Sequence, residues 1–287
     1  MGSKLLMMQE SKGFLYIAHG IKYFKEAEVS ATSLRRFTKL PICLITNDET
    51  YVNPVFDQVT CLKNLEKSYG SKISGLLHSP FDKTIFLDSD TFVCAAVDQV
   101  FEALDIFDVA MTVDNFMHSY LFFNKYRPDF KLRYEAVIPE YNTGVIAIRK
   151  NTVTNQLLSD WMQVHVEMNI NADMPSFREA YINNAATVRI TPLPFEYNYH
   201  GTHSFGFLYN EVKVIHERLG EKWNTLTGSM LGYDQMDKWA KRLNKSKVKR
   251  LVIPYFGIIP YVWSPFVIKN KIKKMFGIKR TKKAETF

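Results

Sequence analysis

The chain has 287 residues, 46% hydrophobic and 14% aromatic, which is enough for a large core and excludes an intrinsically disordered protein. Its formal charge of +8 sits at one end: residues 238–287 hold fifteen Lys and Arg against the single acid Glu285, leaving residues 1–237 at −6. A mildly acidic body is a poor match for a phosphate backbone, so nucleic acid is excluded as a partner of the main domain.

Apolar runs of strand length alternate with helical patterns along the chain. Residues 14–18 read as a first strand and 24–37 as an amphipathic helix. Residues 41–46 form a second strand stopped by Asn47-Asp48, and 58–62 a third. A helix is expected near 71–78, a strand over 83–87, a short helix over 97–104 and a strand over 107–113 that reaches Asp114. A strand over 143–148 precedes helices over 152–168 and 175–185. This alternation predicts one α/β sandwich with a mostly parallel central sheet over residues 1–250, and a separate extension over 251–287. Ligands of such sheets bind at the carboxyl ends of the strands.

Cys43, Cys61 and Cys94 lie in or beside apolar segments without paired spacing, which reads as buried thiols in a reducing compartment and no zinc site. Residues 1–13 lack the charged-then-apolar pattern of a secretory signal, so a cytoplasmic location is expected. The sequon Asn244-Lys245-Ser246 reads as coincidence.

The run Lys83-Thr84-Ile85-Phe86-Leu87-Asp88-Ser89-Asp90-Thr91-Phe92-Val93 carries the most chemistry. A strand interior tolerates no unpaired charge, so Asp88 and Asp90 belong where the strand meets solvent. On an extended backbone, residues two apart point the same way. Close carboxylates repel unless a cation sits between them, which suggests a divalent-metal site; a solvated turn is the alternative.

The blocks 16–20, 71–73, 87–90, 141–145, 173–177 and 212–216 (Tyr16-Ile17-Ala18-His19-Gly20, Ser71-Lys72-Ile73, Leu87-Asp88-Ser89-Asp90, Tyr141-Asn142-Thr143-Gly144-Val145, Asp173-Met174-Pro175-Ser176-Phe177 and Val212-Lys213-Val214-Ile215-His216), in that order over roughly residues 13–225, together resemble nucleotide-sugar glycosyltransferases of the GT-A fold, in particular the family-eight, glycogenin-like group. Tyr16-Ile17-Ala18-His19-Gly20, with Tyr23 opening a helix, is similar to the first strand and its uridine-binding turn. Ser71-Lys72-Ile73 resembles the basic residue ahead of the metal strand, and Leu87-Asp88-Ser89-Asp90 the metal-binding Asp-x-Asp. Tyr141-Asn142-Thr143-Gly144-Val145 resembles the turn that faces the donor sugar. Asp173-Met174-Pro175-Ser176-Phe177 is similar to the helix start that touches sugar and acceptor. Val212-Lys213-Val214-Ile215-His216, followed by Gly220 and Lys222, resembles the late strand whose His completes the metal shell.

The resemblance implies a Rossmann-like GT-A sandwich and transfer of a hexose, with retention, from a nucleotide-diphosphate sugar (a UDP-sugar) to a glycan, lipid or protein acceptor. It implies Mn²⁺ or Mg²⁺ held by Asp88, Asp90 and His216, the imidazole tilting the choice to Mn²⁺. Ala18, Gly20, Tyr23, Lys72, Ser89, Gly144, Gly220 and Lys222 would contact the donor. Asp114, Asn142 and Asp173 would orient sugar hydroxyls. Two departures stand out: His19-Gly20 replaces a more usual acidic or amide residue, and Met174 stands where relatives carry Gln near the anomeric carbon. Met174 motivates the alternative of a nucleotide-sugar binder that has lost turnover.

Plainer readings compete at several positions. His216 would be a hydrogen-bonded strand-end histidine, Asn142-Thr143-Gly144 a simple turn, Tyr23 a core residue of its helix and Lys72 a solvated lysine. His200 and His203 would lie on an acceptor loop or plain surface. A phosphotransferase of the haloacid-dehalogenase type also places Asp-x-Asp after a strand. It needs a hydroxyl residue where Phe92 stands, and its motif usually follows the first strand.

Residues 251–268 are eighteen without a charge, but Pro254, Gly257, Pro260 and Pro265 interrupt any spanning helix. Aromatics followed by eight Lys and Arg over 269–283 suit a peripheral contact with an anionic membrane surface; packing on the core with a frayed basic end is the alternative.

Overall fold

In the computed structural model, described here for residues 10–63, 65, 69–114, 133–134, 137–200, 208, 210–216 and 232–245, the apolar runs form one seven-stranded sheet. Its strands are β1 (Lys12–Ile17), β2 (Ile42–Thr46), β3 (Gln58–Cys61), β4 (Lys83–Leu87), β6 (Val109–Asp114), β7 (Glu140–Arg149) and β8 (Ile190–Leu193), in the order β3-β2-β1-β4-β7-β6-β8. Only β7 runs against its neighbours, β4 and β6, so the expected mostly parallel sheet is the one observed.

The central strands are apolar on both faces because helices cover both. Phe14 and Tyr16 pack with α1 (Gly20–Arg35) and α3 (Val100–Ala103), whereas Leu15 packs with α2 (Gly70–Leu77), α4 (Thr152–Met168) and α5 (Met174–Asn184). Trp161 of α4, fully buried, anchors the second layer. Asn151 caps α4, its side chain accepting from the Thr154 amide at 2.8 Å while Thr154 Oγ1 accepts from the Asn151 amide at 3.0 Å.

A second, two-stranded sheet positions the site. Strand β5 (Phe92–Val93), one residue after the Asp-x-Asp, pairs antiparallel with β9 (Val214–Ile215), directly before His216, with Phe92 opposite Ile215. Its outer side is covered by α6 (Tyr233–Lys245), which buries Met236, Ala240 and Leu243 against Phe92, Tyr199, Val212 and Ile215. The 4-then-3 spacing of those three residues is an amphipathic signature that the charge of the segment hid. Arg36, just past the end of α1, ties this unit to the main layer through Asp237 at 2.6 Å.

Asn244, the sequon residue, belongs to α6, where its amide accepts from the Val212 N–H at 2.9 Å and donates to the Val212 carbonyl at 3.1 Å. The three cysteines are free; Cys43 is buried and the other two half-buried. No helix among the described residues is long and apolar enough to cross a membrane. The extension over 251–287, Gly220, Lys222 and His203 lie outside the described residues.

Candidate active site

Asp88 and Asp90 do lie where β4 leaves the sheet, but the backbone there is not extended. It turns, with the Thr91 amide donating to the Asp88 carbonyl at 3.1 Å. The two carboxylates share a side because of this turn, not because of strand alternation. Antiparallel pairing of β5 with β9 then carries His216 back beside them. His216 Nε2 stands 3.6 Å from Asp88 Oδ2 and 3.5 Å from Asp90 Oδ1.

One donor atom from each of the three residues lies within 4.8 Å of the others. An octahedral cation with ligands at about 2.1 Å sets its donors roughly 3 to 4 Å apart, so the group fits such an ion. Burial alone would lower the His216 pKa, but the Asp90 carboxylate and hydrogen bonds to Asp88 and Asp90 raise it to about 10.

Gly144 explains how the imidazole gets so close. A Cβ on residue 144 would overlap the His216 ring, so only glycine leaves room for it. The Asn142–Gly144 segment is not a turn before a strand: it lies inside β7, at a bulge. Met111 pairs with Ile146 and Thr112 with Asn142, so residues 143–145 have no partner on β6. The freed segment leans to β4, where the Gly144 carbonyl accepts from the Asp88 amide at 2.9 Å. Asn142 Oδ1 accepts from the Gly144 amide at 2.9 Å and from Asn198 Nδ2 at 2.8 Å, which aims its side chain.

Lys72 is not solvated. From α2 its ammonium reaches Asp173 Oδ2 at 2.5 Å, both Asp88 oxygens at 3.1 Å and the Thr143 carbonyl at 3.2 Å. These partners account for its three protons. Burial works against its charge, yet Asp173 and Asp88 more than offset this and hold its pKa above the ordinary lysine value. Asp173 is likewise held below the usual carboxylate range: burial would raise it, and Lys72 and then Thr143 pull it down. Asp173 stands at the start of α5 with no side-chain cap bond, so its carboxylate is given entirely to this cluster. Behind it, its carbonyl accepts from Trp161 Nε1 at 3.2 Å and Ser176 Oγ at 2.9 Å.

The remaining expected residues line the same carboxyl edge. Ala18 is buried and its amide donates to the Ile45 carbonyl at 3.0 Å. Gly20 opens α1 at φ +79°, a backbone that side chains disfavour. Tyr23 is 41% exposed, which rules out the core reading; it meets His19 edge-on at 5.2 Å. Ser89 Oγ donates to Glu26 of α1 at 3.1 Å. Asp114 is buried at the end of β6, opposite Glu140. Met174 is half-buried at the first position of α5. His200, read as loop or surface, instead sets its ring against His216 at 5.1 Å. Local sequence signals neither this contact nor the Asn198 bond, since both depend on the path that η1 (Phe195–Tyr197) takes back to β9.

No protein-family model matches the chain, and no curated protein matches it. Solved structures do match. The WbbM bifunctional glycosyltransferase superposes with a TM-score of 0.53 at 17% identity, covering 84% of this chain and 53% of its own. GlyE of Streptococcus pneumoniae gives 0.53 at 15%, covering 85% and 63%. The galactosyltransferase LgtC, solved with donor and acceptor sugar analogs, gives 0.51 at 12%, covering 83% and 99%. The fold is GT-A. This chain thus spans about half the length of WbbM and nearly all of LgtC.

Proposed function

We propose that this protein is a glycosyltransferase that moves a hexose from a nucleotide-diphosphate sugar, a UDP-sugar, to a glycan, lipid or protein acceptor with retention, and that it belongs with the family-eight, glycogenin-like group. The observation that carries the reading is the convergence of Asp88, Asp90 and His216, from two separate segments, at the carboxyl edge of a GT-A sheet. Those three residues would hold Mn²⁺ or Mg²⁺. The ion would supply Lewis-acid stabilisation of the departing diphosphate, worth several kcal/mol.

The chain's own groups supply the rest. Asp173, Asn142 and Asp114 accept hydrogen bonds from sugar hydroxyls. Lys72 keeps Asp173 ionised and aimed, so its part is positioning rather than the phosphate contact expected of a free ammonium. Tyr23 and the Ala18–Gly20 turn receive the base, and Ser89 and Gly144 border the diphosphate and sugar. Gly220 and Lys222 complete the donor set by resemblance alone. The basic run over 269–283 supports contact with an anionic membrane surface by its charge.

Incubation of the chain with Mn²⁺ and a panel of nucleotide sugars should release nucleoside diphosphate from one of them. Asp90→Ala should lose metal-dependent nucleotide binding and keep its fold. Unchanged nucleotide binding by that variant refutes the site. Liposome co-sedimentation with and without residues 269–287 tests the membrane contact, and equal pelleting ends it.

A further inference from the structure

Helix α1 buries an uncommon set of side chains where it crosses the Asp88–Val93 segment. Its inward face holds Phe24, Ala27, Ala31 and Leu34, but also Glu26, Ser30 and Ser33, at the i, i+4, i+7 spacing of one helical stripe. Ser30 and Ser33 are completely buried, as are Tyr16 and Thr91. Polar groups in such a place are costly unless each is satisfied, and alanine would make the better helix.

Bonds of this stripe outside the helix run to the Asp88–Val93 segment, and one runs to Tyr16. Tyr16 Oη lies 2.9 Å from Ser30 Oγ, Ser30 Oγ lies 2.7 Å from Thr91 Oγ1, and Thr91 Oγ1 donates to the Asp88 carbonyl at 2.7 Å. Since Thr91 gives its proton to a carbonyl, Ser30 must donate to Thr91 and Tyr16 to Ser30, a one-way chain of three hydroxyls. Ser33 Oγ donates to the Ser30 carbonyl at 2.6 Å and accepts from the Val93 amide at 2.8 Å. Glu26 accepts from Ser89 Oγ at 3.1 Å, between the two aspartates. The turn is thus held at residues 88, 89, 91 and 93 by groups that contribute no donor atom to the Asp88–Asp90–His216 cluster.

We propose that the Glu26–Ser30–Ser33 stripe of α1, with Tyr16 and Thr91, forms a set of positioning residues that presets the Asp88–Asp90 turn for a divalent cation. The inference rests on the metal reading given above and extends it to residues outside the coordination group. Outer groups that orient a ligand typically matter 10- to 100-fold in metal affinity.

The test is titration of the full-length chain with Mn²⁺, without nucleotide, following free Mn²⁺ by electron paramagnetic resonance, alongside thermal unfolding. Ser30→Ala and Thr91→Val should each raise the dissociation constant roughly tenfold. Thr91→Ser, which keeps the hydroxyl, should stay near the wild type. The double variant Ser30→Ala/Thr91→Val should bind about as weakly as the weaker single, because both changes cut one link. Wild-type Mn²⁺ affinity in both single variants, with only the melting temperature lowered, overturns the inference and leaves the metal site standing. Should Ser30→Ala fail to fold, Thr91→Val against Thr91→Ser decides alone: equal affinities overturn the inference. Failure of the wild type itself to bind Mn²⁺ removes the metal reading, a separate outcome.

Discussion

Strand β4 has a buried lysine cluster at each end, and the two differ in what they leave to water. At the amino end, Lys83 is 2% exposed and pairs with Glu10 at 2.6 Å and with Asp105, but these carboxylates are themselves 38% and 56% exposed. At the carboxyl end, Lys72 pairs with Asp173, which is 8% exposed, and with Asp88. The first cluster lets a lysine cross the sheet margin and keeps its anions hydrated. The second pulls an anion out of water and leaves another, Asp88, beside Asp90 and His216. The two ends thus differ in the burial of both partners, not in the presence of an ion pair.

The largest expected effect tests that contrast directly. Lys72→Met strands Asp173 without a counter-charge and should cost about 3–5 kcal/mol in denaturant unfolding, the range for breaking a buried pair. Lys83→Met, which leaves only solvated carboxylates behind, should cost clearly less. Equal losses would break the comparison.

Gly144→Ala sharpens it from the other side. The new methyl must displace the His216 ring, so Mn²⁺ affinity should fall roughly tenfold in a titration while the fold persists. Unaltered affinity would show that His216 is not held where it binds a cation.

Acid sensitivity comes next. Asp173 is held below the ordinary carboxylate pKa, so its contribution is complete above about pH 4 and is lost as pH falls through the depressed folded value. Wild-type stability should therefore drop more steeply below pH 4 than that of Asp173→Asn, followed by urea midpoints. Parallel acid limbs would refute the assignment. Lys72, raised above its ordinary value, contributes below about pH 10 and loses that contribution only on the alkaline side.

The smallest effect on the fold is expected at the rim. Tyr23→Ala should change stability by less than about 0.5 kcal/mol, as exposed positions do, and lower UDP affinity in a calorimetric titration. A large loss of stability would return Tyr23 to the core.

Much of the sheet was legible because a strand buried on both faces writes itself as a continuous apolar run. Phe14–Ile17, Ile42–Ile45 and Thr84–Leu87 are such runs, and each became a central strand. Helix α4 was equally plain: the helix expected over 152–168 is the one observed. Short pieces were not: β8 and α6 went unread, since β8 is four residues with no buried side chain and the three apolar residues that α6 buries stand among many charges. The Asn142–Gly144 segment reads as a turn because Asn and Gly favour turns, and only pairing across two neighbours shows the bulge.

Residue types and order alone determined the α/β class and the carboxylate pair at a strand end, since these follow from local hydropathy and charge, whereas His216 entered through the resemblance. Which groups meet was decided in three dimensions. The β5–β9 pairing that returns His216, the glycine gap beneath its ring and the burial of Lys72 all depend on contacts between segments far apart in the chain, such as Lys72 with Asp173, 101 residues on. Charge and periodicity are properties of neighbours along the chain, whereas a coordination group is a property of distance in space.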